Sequence, residues 1–208
     1  MNKIFLSNDI AERKYSIDSI KSKFFEKEFL QEKFWMEVSK KKFVLWFNWE
    51  ITSKNFWDEF IKLLEILLEL DVQIIILAKS EKEFQEKIWK LHENFSNNFL
   101  VLKDSEDNLR DIYSISDSIL FLGVDDDAIM SALSYLSVPV ILNDKNIKMD
   151  LIEEFDPLKE KWNSFFAKWS NLAFLLEAVF RAKETFRFSY DWWVIKTHCI
   201  NTFKDLVE

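Results

Sequence analysis

Carboxylates crowd one short stretch of this sequence. In GVDDDAI, Asp125, Asp126 and Asp127 follow Gly123, the chain's single glycine. Acids in such a turn suit three jobs: holding a divalent cation or accepting a phosphoryl group, hydrogen-bonding the hydroxyls of a substrate, or capping the helix that follows. Facing a diphosphate they would repel it unless a cation intervened. The other reactive side chains are dispersed. His92, His198 and Cys199 have no metal-ligand spacing, and neighbours at 198 and 199 on a helix point in different directions, so they read as structural and no metal is expected. The chain contains no P-loop, no GxGxxG and no GxSxG.

The elements that must position the acidic turn are legible. Ser118 to Leu122 is an unbroken apolar run, as is Val138 to Leu142, and between them Ile129, Met130, Leu133 and Leu136 recur at helical spacing. That is one βαβ unit, and its continuous apolar strands match a parallel sheet covered on both faces. Ligands of such sheets sit beyond the carboxyl ends of the strands, which is where Gly123 to Asp127 falls.

A length of 208 residues allows one domain with a sizeable core. The net charge of −8, with no basic stripe to offset it, excludes nucleic acid and anionic membrane surfaces as general partners. One cysteine implies a reducing compartment, and the absence of an apolar run near ~20 residues implies no membrane span. A cytoplasmic protein is expected.

Glycine usage is abnormal: one residue, where about 7% is usual, beside nine tryptophans. Trp46 and Trp49 flank a strand end, Trp162 and Trp169 lie in EKWNSFF and AKWSNL, and Trp193 follows another Trp. Turns with positive φ normally take glycine because it has no Cβ to clash. Two readings follow: most of these tryptophans are glycines in the native protein, through a UGA codon read as Trp, or the sequence is aromatic-rich with genuine core indoles.

Taken in order, residues 1 to about 41 read as a charged helical lead-in with Phe24, Phe25, Phe29, Leu30 and Phe34 on its apolar face. A strand (Lys41 to Phe47), a helix (Ser53 to Leu70) and a strand (Val72 to Ala78) come next. A helix capped by Ser80 with Glu83 runs to about Phe95. A strand (Asn98 to Lys103) and a helix (Ser105 to Ser114) then lead into the βαβ unit. Beyond it come short helix Asn146 to Glu154, short strand Asn163 to Ala167, helix Ser170 to Arg187 and a final helix from Asp191 to Val207. Such alternation specifies an α/β fold, a Rossmann-like parallel sheet flanked by helices. The expected divisions are 1–41 lead-in, 42–188 Rossmann-like domain and 189–208 C-terminal helix.

With Gly read for Trp, FFEKEFLQEKFWMEVSKKKFVLWFNWEITSKNFWDEF resembles the join between the two halves of a bacterial glycogen or starch synthase. ILAKSEKEFQEKIWKLHENF is similar to that family's strand, glycine loop and helix, LRDIYSISDSILFL to its Ile-Tyr-x-x-Ala-Asp segment, and DPLKEKWNSFFAKWSNLAFLLEAVFRAKETFRFSYDWWVIKTHCI to its C-terminal region. The resemblance implies the C-terminal half of a GT-B glycosyltransferase that moves glucose from ADP-glucose or UDP-glucose onto an α-1,4-glucan, with the acceptor held by an N-terminal domain. It implies Lys54 as the charge that stabilises the departing diphosphate, Tyr113 against the base, and Ala78, Lys79 and Ser80 in the place of the phosphate loop. Asp125 and Asp126, outside the family's pattern, either supply a carboxylate to ribose or substrate hydroxyls or cap the following helix. No cofactor is implied.

The departures are specific. FNWEI lacks the family's arginine, and GVDDDAIMS stands where the family has a glutamate-led phrase. These losses suit a degenerate or incomplete half, inactive alone. Two other readings stay open: a non-catalytic docking or regulatory module, and a flavodoxin-like domain whose acidic turn accepts phosphoryl groups or metal.

Overall fold

The computed structural model describes residues 17–48, 57–78, 82–123, 126–142, 152–156, 158, 162–168 and 171–207. Helix α1 (Ile17–Lys33) leads into β1 (Phe43–Asn48), α2 (Trp57–Glu69), β2 (Val72–Ala78), α3 (Lys82–Asn94), β3 (Phe99–Lys103), α4 (Glu106–Ile115) and β4 (Ser118–Phe121). Then come α5 (Asp126–Ser134), β5 (Val138–Leu142), β6 (Phe165–Ala167), α6 (Leu172–Phe186) and α7 (Ser189–Val207). Every strand pairing is parallel and the sheet order is β3-β2-β1-β4-β5-β6. That is the Rossmann order and not the flavodoxin-like 2-1-3-4-5, which sets the flavodoxin-like reading aside.

The strands are buried because helices cover both faces. All four residues of β4 and the first four of β5 are buried, and each such Ile, Leu or Phe contributes about 1.5–3 kcal/mol relative to exposure. Pro139 is tolerated within β5 because pairing with β6 starts only at Val140, leaving Pro139 alongside β4 alone. Ser105 caps α4, its Oγ accepting from the Asn108 amide.

Two expectations need correction. Ile152 and Glu153 are not helical and Glu154 is in a parallel bridge with Ser164; residues 146–151 of that expected helix lie outside the described residues, as does Ser80. The lead-in helix, moreover, buries Leu30 and packs Phe24 and Phe34 on the core as expected, but not its other aromatic rings. Phe25 and Phe29 are exposed, while Ile20, Lys23, Lys27, Leu30 and Gln31 face inward. The tryptophans are also not confined to turns: Trp46 is in β1, and Trp57, Trp89, Trp192 and Trp193 are helical. Trp35 does take the left-handed conformation expected of glycine, with φ 58°.

Candidate functional site

The strand order reverses between β1 and β4, and at such a switch point parallel α/β sheets take their ligands beyond the carboxyl ends of the strands. There Asn48 pairs with Phe121, the last residues of the two strands. Gly123 follows at the surface, and a Cβ built on it would meet nothing within 4 Å. Its φ is not positive, so neither crowding nor backbone strain demands glycine. Asp126 and Asp127 form the first turn of α5, where the positive end of the helix dipole favours acids.

The structure brings only part of the expected set into view. Lys54, Lys79, Ser80 and Asp125 lie outside the described residues. Ala78 ends β2, paired with Lys103, at the carboxyl edge. Tyr113 is buried, its ring 4.8 Å from Trp46 in an edge contact and stacked on Tyr135 at 5.4 Å. These contacts pack Tyr113 against the core. His92 is structural: its Nδ1 lies 2.7 Å from the Phe99 carbonyl. Cys199 is fully buried, and burial pushes its thiol up to about 12, which makes it a poor nucleophile. Among the described residues no group of three His, Cys, Asp or Glu could hold a metal ion.

The opposite edge carries polar residues that sequence reasoning missed. Asp117, just before β4, accepts from the Val44 amide at 3.0 Å and from Lys27, both members of the ion pair being 1% exposed. Lys23 Nζ donates to Ser137 Oγ (2.8 Å), the Tyr113 carbonyl (3.1 Å) and the Tyr135 carbonyl (2.5 Å). Gln31 donates to Gln73 at 2.6 Å. These groups pin α1 to the amino ends of β1, β2 and β4. The one available signal was the i, i+4, i+8 spacing of Lys23, Lys27 and Gln31. On a charged helix such spacing reads as a solvated face.

No family-wide sequence profile matches the chain. The C-terminal domain of a glycosyl transferase group 1 protein (LpcC) from Francisella tularensis superposes with a TM-score of 0.62 at 9% identity, covering 86% of this chain and 91% of that domain. The chain has the fold of a GT-B C-terminal domain. Anabaena HepE, solved in complex with UDP-glucose, aligns with a TM-score of 0.61 at 12% identity over 92% of this GT-B domain and 51% of HepE. In sequence, the GT-B domain is similar to bacterial glycogen synthases. That of Trichodesmium erythraeum is 24% identical over 184 residues, covering 86% of the chain and 40% of the relative. That of Thermosipho africanus is 25% identical over 188 residues, covering 86% and 38%. The domain thus spans about two fifths of the length of these relatives.

Proposed function

We propose that this GT-B domain binds the sugar nucleotide in a glucosyltransferase of glycogen synthase type, with ADP-glucose or UDP-glucose as donor and an α-1,4-glucan as acceptor. The observation that carries the reading is the switch point between β1 and β4. It puts Asn48, Phe121 and Gly123 at the edge where parallel α/β sheets take nucleotides. The likeness to glycogen synthases supports glucose transfer in particular. Lys54, in the segment after β1, offers a point charge to the departing diphosphate. Asp126, at the start of α5, faces the same edge and offers a carboxylate to sugar or ribose hydroxyls, with Asp125 beside it in sequence. A second domain completes the acceptor side of the cleft, and the 208-residue chain alone binds donor without turning it over.

Calorimetric titration of ADP, ADP-glucose and UDP-glucose tests this, run on the chain, on its Lys54→Ala variant, and on the chain with every tryptophan except Trp192 replaced by glycine. Saturable binding that Lys54→Ala weakens roughly tenfold or more is the expected result, since a charge-assisted contact to phosphate is removed. A folded protein that binds none of the three nucleotides overturns the reading. The missing arginine in FNWEI would then favour the docking module.

A further inference from the structure

A large cavity lies at the other end of the sheet. It encloses 1010 Å³ and is bordered by residues that precede β1 and β2, by the end of α6 and by the start of α7. Its lining holds five cationic side chains, Lys40, Lys41, Lys183, Arg187 and Lys196, against one carboxylate, Asp71, on a chain of net charge −8. That carboxylate is already engaged by Lys42. Lys40 and Arg187 pair with Glu28 and Glu184. Lys41 and Lys183, in contrast, have no carboxylate within salt-bridge distance among the described residues.

Lys196 is the decisive group. It is 1% exposed, and its Nζ is buried without a hydrogen-bond partner. The ring faces of Phe24, at 4.9 Å, and Trp192, at 5.9 Å, approach it. The nearby carboxylate, Asp117, belongs to Lys27, and the neighbouring ammonium of Lys23 adds repulsion. A buried ammonium with no counter-charge is unfavourable, and an anion entering the cavity would relieve it. The first turn of α7, carrying Ser189 and Tyr190 into the same lining, adds the positive end of a 19-residue helix. Aromatic walls from Phe24 and Tyr190 give the rest of a ligand an apolar surface of the kind that takes the face of a sugar ring.

We propose that this cavity is a second ligand site, for a small phosphorylated metabolite of hexose-phosphate size. Its phosphate meets Lys196, with Lys183, Lys41 and Arg187 at the mouth, and its carbon ring lies against Phe24 and Tyr190. The site is at the amino edge of the sheet, so it is separate from the proposed sugar-nucleotide site and independent of any reading of that site.

Titration of the 208-residue chain, followed by Trp fluorescence and calorimetry, tests the assignment with glucose 6-phosphate, inorganic phosphate, uncharged glucose and phosphatidic acid vesicles. Saturable binding of glucose 6-phosphate is expected, with weaker binding of phosphate and none of glucose. Lys196→Met should weaken glucose 6-phosphate roughly tenfold or more while the protein stays folded. Lys183→Ala with Arg187→Ala, both near the surface, should weaken it without disturbing the core. No saturable binding of either phosphate probe overturns the proposal. So does affinity unchanged in Lys196→Met, or binding confined to the vesicles.

Discussion

Trp35 shows how one residue can sit against its own chemistry. Its amide donates to the Glu32 carbonyl (3.1 Å) and the Met36 amide to the Gln31 carbonyl (2.9 Å), a Schellman closure of α1 with the left-handed residue just past the helix. A non-glycine residue there costs about 1–2 kcal/mol, and the indole, 88% exposed, recovers little by packing. Trp35→Gly should therefore raise stability by about 1 kcal/mol, read as a higher urea midpoint at unchanged slope. A midpoint that stays or falls counts against the left-handed assignment. Inspecting codon 35 then separates the two readings of the tryptophans, UGA supporting recoded glycine and UGG a genuine indole. Trp46 makes a different case, because its ring is buried in extended backbone beside Tyr113.

Lys196 belongs to the same scale. Burial lowers its pKa to about 8, opposed by Asp117, with Lys27 lowering it further and Cys199 opposing. Lys23, which faces it, is lowered chiefly by its own burial. The folded protein thus releases the Lys196 proton before the unfolded chain does, and the unfolded state binds more protons between about pH 8 and the ordinary lysine value. Stability attributable to this group rises with pH across that window, and below it the penalty is about 3 kcal/mol. Denaturation of Lys196→Met against the parent should show the variant ahead at pH 7 by an amount that shrinks toward pH 10. An advantage independent of pH would mean that the fold does not depress the Lys196 pKa.

At the scale of elements, β6 shows how a three-residue strand at the edge of the sheet is held. Arg181 from α6 donates to Glu154 Oε1 (2.5 Å) and to the Phe166 carbonyl (2.7 Å), while Glu154 Oε2 accepts from the Phe166 amide (2.5 Å). One carboxylate and one guanidinium thereby satisfy both backbone groups of the middle residue of an otherwise open edge. Burial pushes the Glu154 carboxyl up in spite of Arg181 and the Phe166 amide, a sign that the clamp sits partly out of water. Arg181→Met should cost about 1–2 kcal/mol, discounted for partial exposure, and should strip hydrogen-exchange protection from the Phe166 amide while leaving β4 and β5 protected. Uniform loss of protection would instead place the clamp in the global core. Helix α1 carries the opposite lesson: apolar periodicity picked out Phe25 and Phe29, yet the buried face holds Lys23, Lys27 and Gln31. Fixed acceptors at the amino edge reward those donors more than the aromatic rings gain from burial.

Across the whole molecule the parallel sheet separates two edges with different chemistry. The carboxyl edge carries the switch point between β1 and β4, and the amino edge carries the cationic cavity beside α7. If both assignments hold, saturating glucose 6-phosphate leaves ADP-glucose affinity within about twofold, because no described side chain is shared between the two sites. A larger change would show coupling through the sheet.

Local pattern alone determined the α/β class, each strand from β1 to β5 to within two residues, and the place of the acidic turn. Unbroken apolar runs and helical spacing are properties of short segments, and they survive whatever the rest of the chain does. The likeness to glycogen synthases was also legible, because it rests on the order of short phrases along the chain. Only the tertiary structure decided which lysines leave water, which ring Tyr113 meets, and which edge of the sheet holds uncompensated charge. Lys23, Lys27 and Lys196 look like ordinary surface lysines in sequence. Burial and counter-charge depend on residues far along the chain, such as Asp117, 90 positions from Lys27, and no local spacing encodes that distance.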